Sequence, residues 1–262
     1  MKENGKEQGV IIQSLDRAFQ ILDCFDDHIG EYGVTEIASK VGLGKSTAYG
    51  LINTLLQARY LEQNPENKKY RLGLRLFELG SLVQSRMDVR ENARPYLEKL
   101  SEETGMTVHM AVYQDNDVVY IDKVDAPNAR VFYSQVGKKA PMYCTGIGKA
   151  ILANLKPAEV EYLLNYQERT AFTDKTITKK EDLQKELQKI KNDGYAIDNE
   201  EVEPGLRCVA MPIFDYNKNP VAAISVSGTA AVLQDKKVVE ILQSLTWISR
   251  EISEKMGYRK DV

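Results

Sequence analysis

The sequence is poor in the residues that carry most metal, disulfide and nucleophilic chemistry. It has 3 cysteines and 2 histidines among 262 residues. Cys24, Cys144 and Cys208 are odd in number, far apart and form no CxxC pair. That excludes a disulfide framework and points to a reducing compartment. His28 and His109 offer no zinc-ligand spacing, so neither a metal nor a cofactor is expected. There is no P-loop and no GxSxG, and GIGK at Gly146 to Lys149 is too short for a Walker loop. No apolar run approaches the roughly 18 residues needed to span a bilayer. The opening MKENGKEQGV lacks the apolar core of a signal peptide. A cytoplasmic location without a membrane partner follows as the expectation, with residues 1–9 polar and frayed. Charge of one sign is also lacking: the net charge is −3, which does not announce a nucleic-acid binder.

That net charge hides local sorting. From Ile37 to Leu61 there are three basic residues, Lys40, Lys45 and Arg59, and no acid. Val34 to Leu56, VTEIASKVGLGKSTAYGLINTLL, reads as two helices with a tight turn between them. Ile37, Ala38 and Val41 recur at helical spacing, and Gly42 stops the first helix. Leu43, alone between two glycines, plugs the crossing. In the second helix Ala48, Leu51, Ile52 and Leu55 face inward. The other face carries Lys45, Ser46, Thr47, Tyr49 and Asn53, short polar groups suited to a major groove. A helical hairpin with a solvated polar face is the bland alternative. Next, Tyr60-Leu61 and Tyr70-Arg71-Leu72 flank the turn Asn64-Pro65-Glu66-Asn67, which predicts a hairpin. A helix-turn-helix followed by a hairpin is a winged helix. Lys68, Lys69, Arg71 and Arg75, with no acid between Asn67 and Phe77, suit phosphates, which orient a protein without reading sequence.

The rest of the chain is read in order. Ser14 is expected to cap a helix through about Phe25, with Leu15, Ala18, Phe19, Leu22 and Phe25 facing inward. Leu74 to Arg90 reads as a connector helix whose apolar side could meet a partner subunit. Asn92 to Thr104 is a further helix, stopped at Gly105. Strands follow at 107–113, 118–124 and 130–136, then a loop at 137–144 and helices from Thr145, Pro157 and Thr178. Three more strands, at 195–199, 206–214 and 221–228, precede a closing helix, Gln234 to Met256. The fold class is α+β: a winged helix-turn-helix over 1–73, a linker helix over 74–90 and an antiparallel-sheet domain over 91–262.

Three segments of the second domain could converge on a small molecule. Met142 to Gly148 places small residues before a helix, whose first amides are free to bind an anion. Asp198 to Glu201 leads to Gly205-Leu-Arg-Cys208. Ser225 and Ser227 lie two apart on a strand and so face one way, while Ile224 and Val226 face the other. Two hydroxyls, an acid and free amides suit a small polar acid. Each also has a structural reading: a satisfied strand serine, a turn aspartate, a buried cysteine. An enzyme using Cys144 or Cys208 would need a basic partner, and only His28 and His109 exist. No catalytic residues are assigned. A pure interaction module, with the helix-turn-helix serving dimerisation, is the third reading.

The stretches SLDRAFQILDCF, TEIASKVGLGKSTAYGLINTL, YRLGLRLFELG, PMYCTGIGKAILA, EPGLRCVAMPIFD and NPVAAISVSG resemble the IclR family of transcriptional regulators over essentially the whole chain. The resemblance implies an N-terminal winged helix, a GAF-like effector domain, and homodimers or dimers of dimers. It also implies control of catabolic operons, here as a repressor, by a small carboxylate such as a keto acid or sugar acid, with aromatic acids also possible. The family's effector positions fall on Gly146, Ile147, Asp198, Cys208, Ser225 and Ser227. The operator-contacting set is then Thr35, Lys45, Ser46, Thr47, Tyr49, Gly50, Asn53, Lys68, Lys69 and Arg71. The family often has arginine where this chain has Gly50, so its operator preference does not carry over.

Overall fold

The structure is a computed structural model that describes residues 11–25, 30–84, 88–126 and 134–259. The chain divides into two compact units, Met1–Arg86 and Met87–Val262.

The first unit contains α1 (Gln13–Asp23), α2 (Val34–Lys40), α3 (Lys45–Gln57), β1 (Leu61–Gln63), β2 (Tyr70–Leu72) and α4 (Leu74–Gln84). The turn between α2 and α3 forms because Gly42 takes φ +64, which glycine adopts without steric cost. The amides of Gly42 and Leu43 then bond back to the Ser39 and Ala38 carbonyls at 3.3 and 2.9 Å. Leu43 packs against a core of Ile21, Ile37, Ala48, Ile52 and Leu61. β1 and β2 pair antiparallel. Tyr32, not anticipated as strand, adds a bridge to Tyr70, exchanging backbone bonds of 2.9 and 2.8 Å.

Two expectations for α1 are corrected. Ser14 is not the cap: the helix begins at Gln13, because the amides of Leu15 and Asp16 already bond to the Ile12 carbonyl. Nor do Leu15 and Phe19 face inward; they are 52% and 55% exposed, while Ile21 is fully buried. The inward stripe is Ala18, Ile21, Leu22 and Phe25. A helix that packs within its chain mainly on α3 buries only one such stripe.

The second unit runs α5 (Asp88–Thr104), β3 (Thr107–Gln114), β4 (Asp117–Val124), β5 (Lys139–Pro141), α6 (Gly146–Leu152), α7 (Pro157–Tyr166), α8 (Lys180–Asp193), β6 (Ala196–Asn199), β7 (Leu206–Phe214), β8 (Pro220–Thr229) and α9 (Asp235–Lys255). α5 is continuous from Asp88, earlier than the expected start at Asn92. The expected loop 137–144 contains β5, which pairs with β4. Of the strand expected at 130–136, residues 130–133 lie outside the described residues, and 134–136 form no strand. His28 is likewise outside them.

The six strands form one antiparallel sheet in the order β5-β4-β3-β8-β7-β6. Period-two patterning sorts its two faces. Val108, Met110, Val209, Ile224 and Val226 pack under α5 and α9. Ala111, Ala210 and Ala223 lie under α6, α7 and α8, whose Ile147, Ile151, Leu163, Leu183 and Leu187 complete the second layer. The small residues let α6 sit close. A Cβ on Gly148 would lie 2.5 Å from Met142 Cα and 2.6 Å from its carbonyl oxygen, so only glycine fits there.

Gly148→Ala is therefore expected to destabilise this unit by about 1–3 kcal/mol through overpacking against backbone. Urea unfolding followed by fluorescence of Trp247, the single tryptophan, measures it. An unchanged midpoint would mean that residues 142–145 relax freely.

Candidate functional site

In the first unit, α3 buries Ala48, Ile52 and Leu55 and leaves Lys45, Ser46, Thr47, Tyr49, Gly50 and Asn53 exposed. Thr35 is exposed in the first turn of α2, and Lys68 in the turn between β1 and β2. The wing is less basic in space than along the chain. Arg71 pairs with Glu62 at 3.2 Å and with Glu31 at 3.5 Å, and Lys69 approaches Glu36 at 3.7 Å. Amide bonds from Asn67 and Asn64 hold the Glu31 carboxyl below its usual range, so it stays charged. The acid-free run Asn67 to Phe77 thus meets acids supplied from outside it. Among the described residues, Lys45 and Lys68 have no carboxylate at ion-pair distance.

In the second unit, strand register assembles a polar row on the face under α6. Thr107 on β3 stands opposite Ser227 on β8, Ser227 opposite Cys208 on β7, and Cys208 opposite Asp198 on β6. The next row sets His109 opposite Ser225 and Ser225 opposite Ala210. The first residues of α6 close over these rows. A Cβ on Gly146 would meet the Cβ atoms of Ala210 and Cys208 at 3.4 and 3.5 Å and the Asp198 amide at 3.6 Å. Thr145 caps α6, accepting from the Gly148 amide at 3.0 Å. The amides of Gly146 and Ile147 precede the first intrahelical bond.

These residues enclose a cavity of about 20 Å³, on the order of one water molecule. All six expected effector residues, Gly146, Ile147, Asp198, Cys208, Ser225 and Ser227, line it. The sequence reading missed His109, Tyr120 and Ser134, which line it too. The available signal was parity: His109 lies two residues from Thr107, so it shares the face that Ser225 and Ser227 occupy once β3 pairs with β8.

The chemistry of the lining is neutral apart from one carboxyl. Ser227 Oγ donates to Cys208 Sγ at 3.1 Å and lies 3.2 Å from His109 Nδ1. Ser134 Oγ bonds His109 Nε2. With Ser227 donating to sulfur, the consistent tautomer carries its proton on Nδ1 and accepts from Ser134. Burial, helped by the Lys123 charge, pushes His109 down to about 3, so the ring is neutral. Burial pushes the Cys208 thiol up, and Cys144 up to about 12. Neither is a thiolate nucleophile at neutral pH, although a histidine does reach Cys208 through Ser227. Burial also pushes Asp198 up to about 7, against the lowering effect of its 2.8 Å bond from the Glu201 amide.

Behind Asp198 lies a buried ion cluster. Lys149 on α6 has no exposed surface, bonds Glu201 and reaches Glu186 on α8 at 3.3 Å. Among the described residues no His, Cys, Asp and Glu group is arranged to hold a metal, and no helix is long and apolar enough to cross a membrane.

A winged helix presenting short polar side chains, in one chain with a sheet domain enclosing a small polar cavity, defines a DNA-binding transcription regulator with an effector domain. Residues 14–65 match the IclR helix-turn-helix domain, and residues 81–254 match the bacterial transcriptional regulator IclR C-terminal domain. The chain is 38% identical over 248 residues to the HTH-type transcriptional regulator XynR of Escherichia coli K12, covering 95% of this chain and 98% of that protein. It is 33% identical over 244 residues to the transcriptional repressor IclR of the same organism, covering 92% and 89%. The crystal structure of Thermotoga maritima IclR matches with a TM-score of 0.76 at 38% identity, covering 94% of this chain and 99% of that one. The chain belongs to the IclR family of transcriptional regulators.

The two perturbed cavity groups make opposed contributions to stability. Between about pH 6.5 and 3 the unfolded chain protonates His109 and the folded one does not, so this residue weakens folding as pH falls. Asp198 binds its proton more tightly when folded, so between about 7 and 3.8 it strengthens folding as pH falls. In wild type the two slopes offset each other. His109→Gln removes only the first. Relative to wild type, its stability is expected to gain about 1.4 kcal/mol per pH unit on acidification below about 6.5. Urea titrations read by Trp247 at several pH values test this; parallel curves would mean that His109 titrates normally.

Proposed function

We propose that this protein is a repressor of a catabolic operon, released by a small carboxylate, a keto acid or sugar acid, bound in the cavity under α6. The observation that carries the reading is the convergence of Asp198, Cys208, Ser225, Ser227 and the first α6 amides on one small cavity. Its small volume favours an acid of few heavy atoms, and Val202 after β6 and Leu206 at the start of β7 form part of its wall. Repression is supported by the relative named as a repressor.

The working division is DNA binding by residues 1–73, connection by 74–90 and sensing by 91–262. On the operator, Lys45, Ser46, Thr47, Tyr49, Gly50 and Asn53 of α3 face the major groove, with Thr35 beside them. Lys68, Lys69 and Arg71 meet phosphates from the wing, the last two by exchanging their carboxylates for the DNA. Leu15, Phe19, Phe77, Leu82 and Val83 are large apolar side chains exposed on α1 and α4. They support pairing as a homodimer, or a dimer of dimers, which suits two half-sites.

Selection of source-genome fragments by the purified protein at two salt concentrations tests the reading. Enrichment of a few palindromic sites beside catabolic or transport genes is the expected result; only diffuse, salt-labile binding would count against it. On such a site, Lys45→Ala is expected to weaken binding for all sequences and to reduce the salt slope by about one ion. An unchanged slope removes Lys45 from the phosphates. Gly50→Ala places its Cβ in open space, so it should stabilise α3 by about 1 kcal/mol. If it also lowers operator affinity, the DNA approaches the backbone at this position; equal affinity would show that it does not.

A further inference from the structure

We propose that an anionic effector enters this cavity together with a proton, which sits on Asp198. This rests on the reading of the effector as a small carboxylate and specifies how a site with an acid in its wall accepts one.

Asp198 is 2% exposed, and the groups around it leave little free positive charge. Acting on it are Cys208 from β7, Cys144 from the segment before α6, Lys149 from α6, and Glu201 and Val202 from the turn after β6, with Glu186 on α8 reaching Lys149 behind them. His109 on β3 and Tyr120 on β4 complete the surroundings. The thiols and the imidazole are neutral at physiological pH. The ammoniums near the cavity are committed elsewhere: Lys149 Nζ bonds Glu201 and lies 3.3 Å from Glu186, and Lys123, whose charge acts on His109, pairs with Asp125 at 3.0 Å. Among the described lining residues there is no lysine and no arginine. A second carboxylate in this space therefore finds hydroxyls and amides to bond but no unspent positive charge. It does find the carboxyl of Asp198. Two carboxylates sharing a closed site retain a proton between them.

The geometry gives the proton a place. Asp198 Oδ1 accepts from the Glu201 amide at 2.8 Å, and the Val202 amide also bonds this carboxyl; once protonated, the carboxyl can donate its hydroxyl hydrogen to the incoming carboxylate. Asp198 already lies near neutrality, pushed up to about 7 by burial. An ionised Asp198 at higher pH takes its proton from solvent as the anion binds; a protonated one at lower pH has it in place. Acidification thus strengthens effector binding.

The test is calorimetric titration of the full-length protein with pyruvate and with D-gluconate, in buffers of low and high ionisation heat, from about pH 6 to 8.5. Uptake of protons per bound acid is expected to rise from near zero toward one across that range. Affinity is expected to fall about tenfold per pH unit above 7. In Asp198→Asn, whose amide can donate in place of the protonated acid, the binding heat should become independent of buffer and the affinity lose its pH slope. Acid binding without proton uptake in wild type, or with proton release, overturns the proposal and leaves the carboxylate reading standing. If neither acid binds while pyruvamide or D-glucitol does, the carboxylate reading falls and the proposal with it.

Discussion

A lysine with no access to solvent fixes the geometry of the sensor domain. Lys149 joins α6 to Glu201 in the turn after β6 and to Glu186 on α8. Removing one member of such a buried pair typically costs about 3–5 kcal/mol, because the other charge is stranded. The pair need not add stability over an apolar substitute; what it adds is position. Apolar layers tolerate sliding, whereas a buried ammonium accepts only the arrangement in which its carboxylates reach it. Glu201 in turn donates its amide to Asp198. Thr173 and Thr176 donate their hydroxyls to the Glu200 and Glu201 carbonyls at 2.7 and 2.6 Å. The placement of Asp198 in the cavity wall is thus inherited from Lys149 through one residue. The arrangement is not fully satisfied. Glu201 Oε2 has no hydrogen-bond partner among the described residues, in keeping with a carboxyl raised chiefly by burial.

The second constraint is sheet register. One face of β3, β8 and β7 is aliphatic under α5 and α9, and a single-residue slip would bring Thr107, His109, Ser225 and Ser227 to that face. Held in register, these polar groups meet one another. Buried polar groups that bond each other cost little, whereas unpaired ones cost about 1–3 kcal/mol each. His109, Ser134, Ser227 and Cys208 form one continuous chain of neutral bonds. Among these described groups, Asp198 is the carboxyl that burial brings near physiological pH.

Much of this was legible in the sequence wherever the signal was local. The stop at Gly42, the inward stripe Ala48-Ile52-Leu55 and the opposed faces of Ser225/Ser227 and Ile224/Val226 each depend on neighbours within one element. What was not legible depends on partners distant in sequence. Ser227 and His109 are separated by 118 positions, and no periodicity states that β3 pairs with β8. Lys149 sits in a glycine-rich turn-to-helix stretch, and its helical spacing does not reveal that the charge points into the protein. Apolar periodicity found α1 and put Ala18, Leu22 and Phe25 inward, but added Leu15 and Phe19 and missed Ile21, because Leu15-Phe19 and Ala18-Ile21-Leu22-Phe25 are both regular stripes. Only the packing of α3 decides between them. Basic runs mislead for the same reason: Glu31, Glu36 and Glu62 reach the wing from earlier in the chain.

In both units some cations are tied to carboxylates before any ligand arrives, Arg71 and Lys69 in the wing and Lys149 under α6. In the wing this has a regulatory consequence. Arg71 and Lys69 can meet phosphate only by releasing Glu62, Glu31 and Glu36, so the non-specific part of operator affinity is lower than the count of basic residues implies. Coupling between effector and DNA in a switch of this kind amounts to about 1–3 kcal/mol, about 5- to 150-fold in affinity. A shift of that size releases a protein from DNA only if its affinity stands close to the threshold for occupancy. On the proposed reading, pairing of Arg71 and Lys69 with carboxylates lowers the phosphate-bound share of operator affinity and leaves discrimination to α3, which brings affinity nearer the range that a coupling of this size can control.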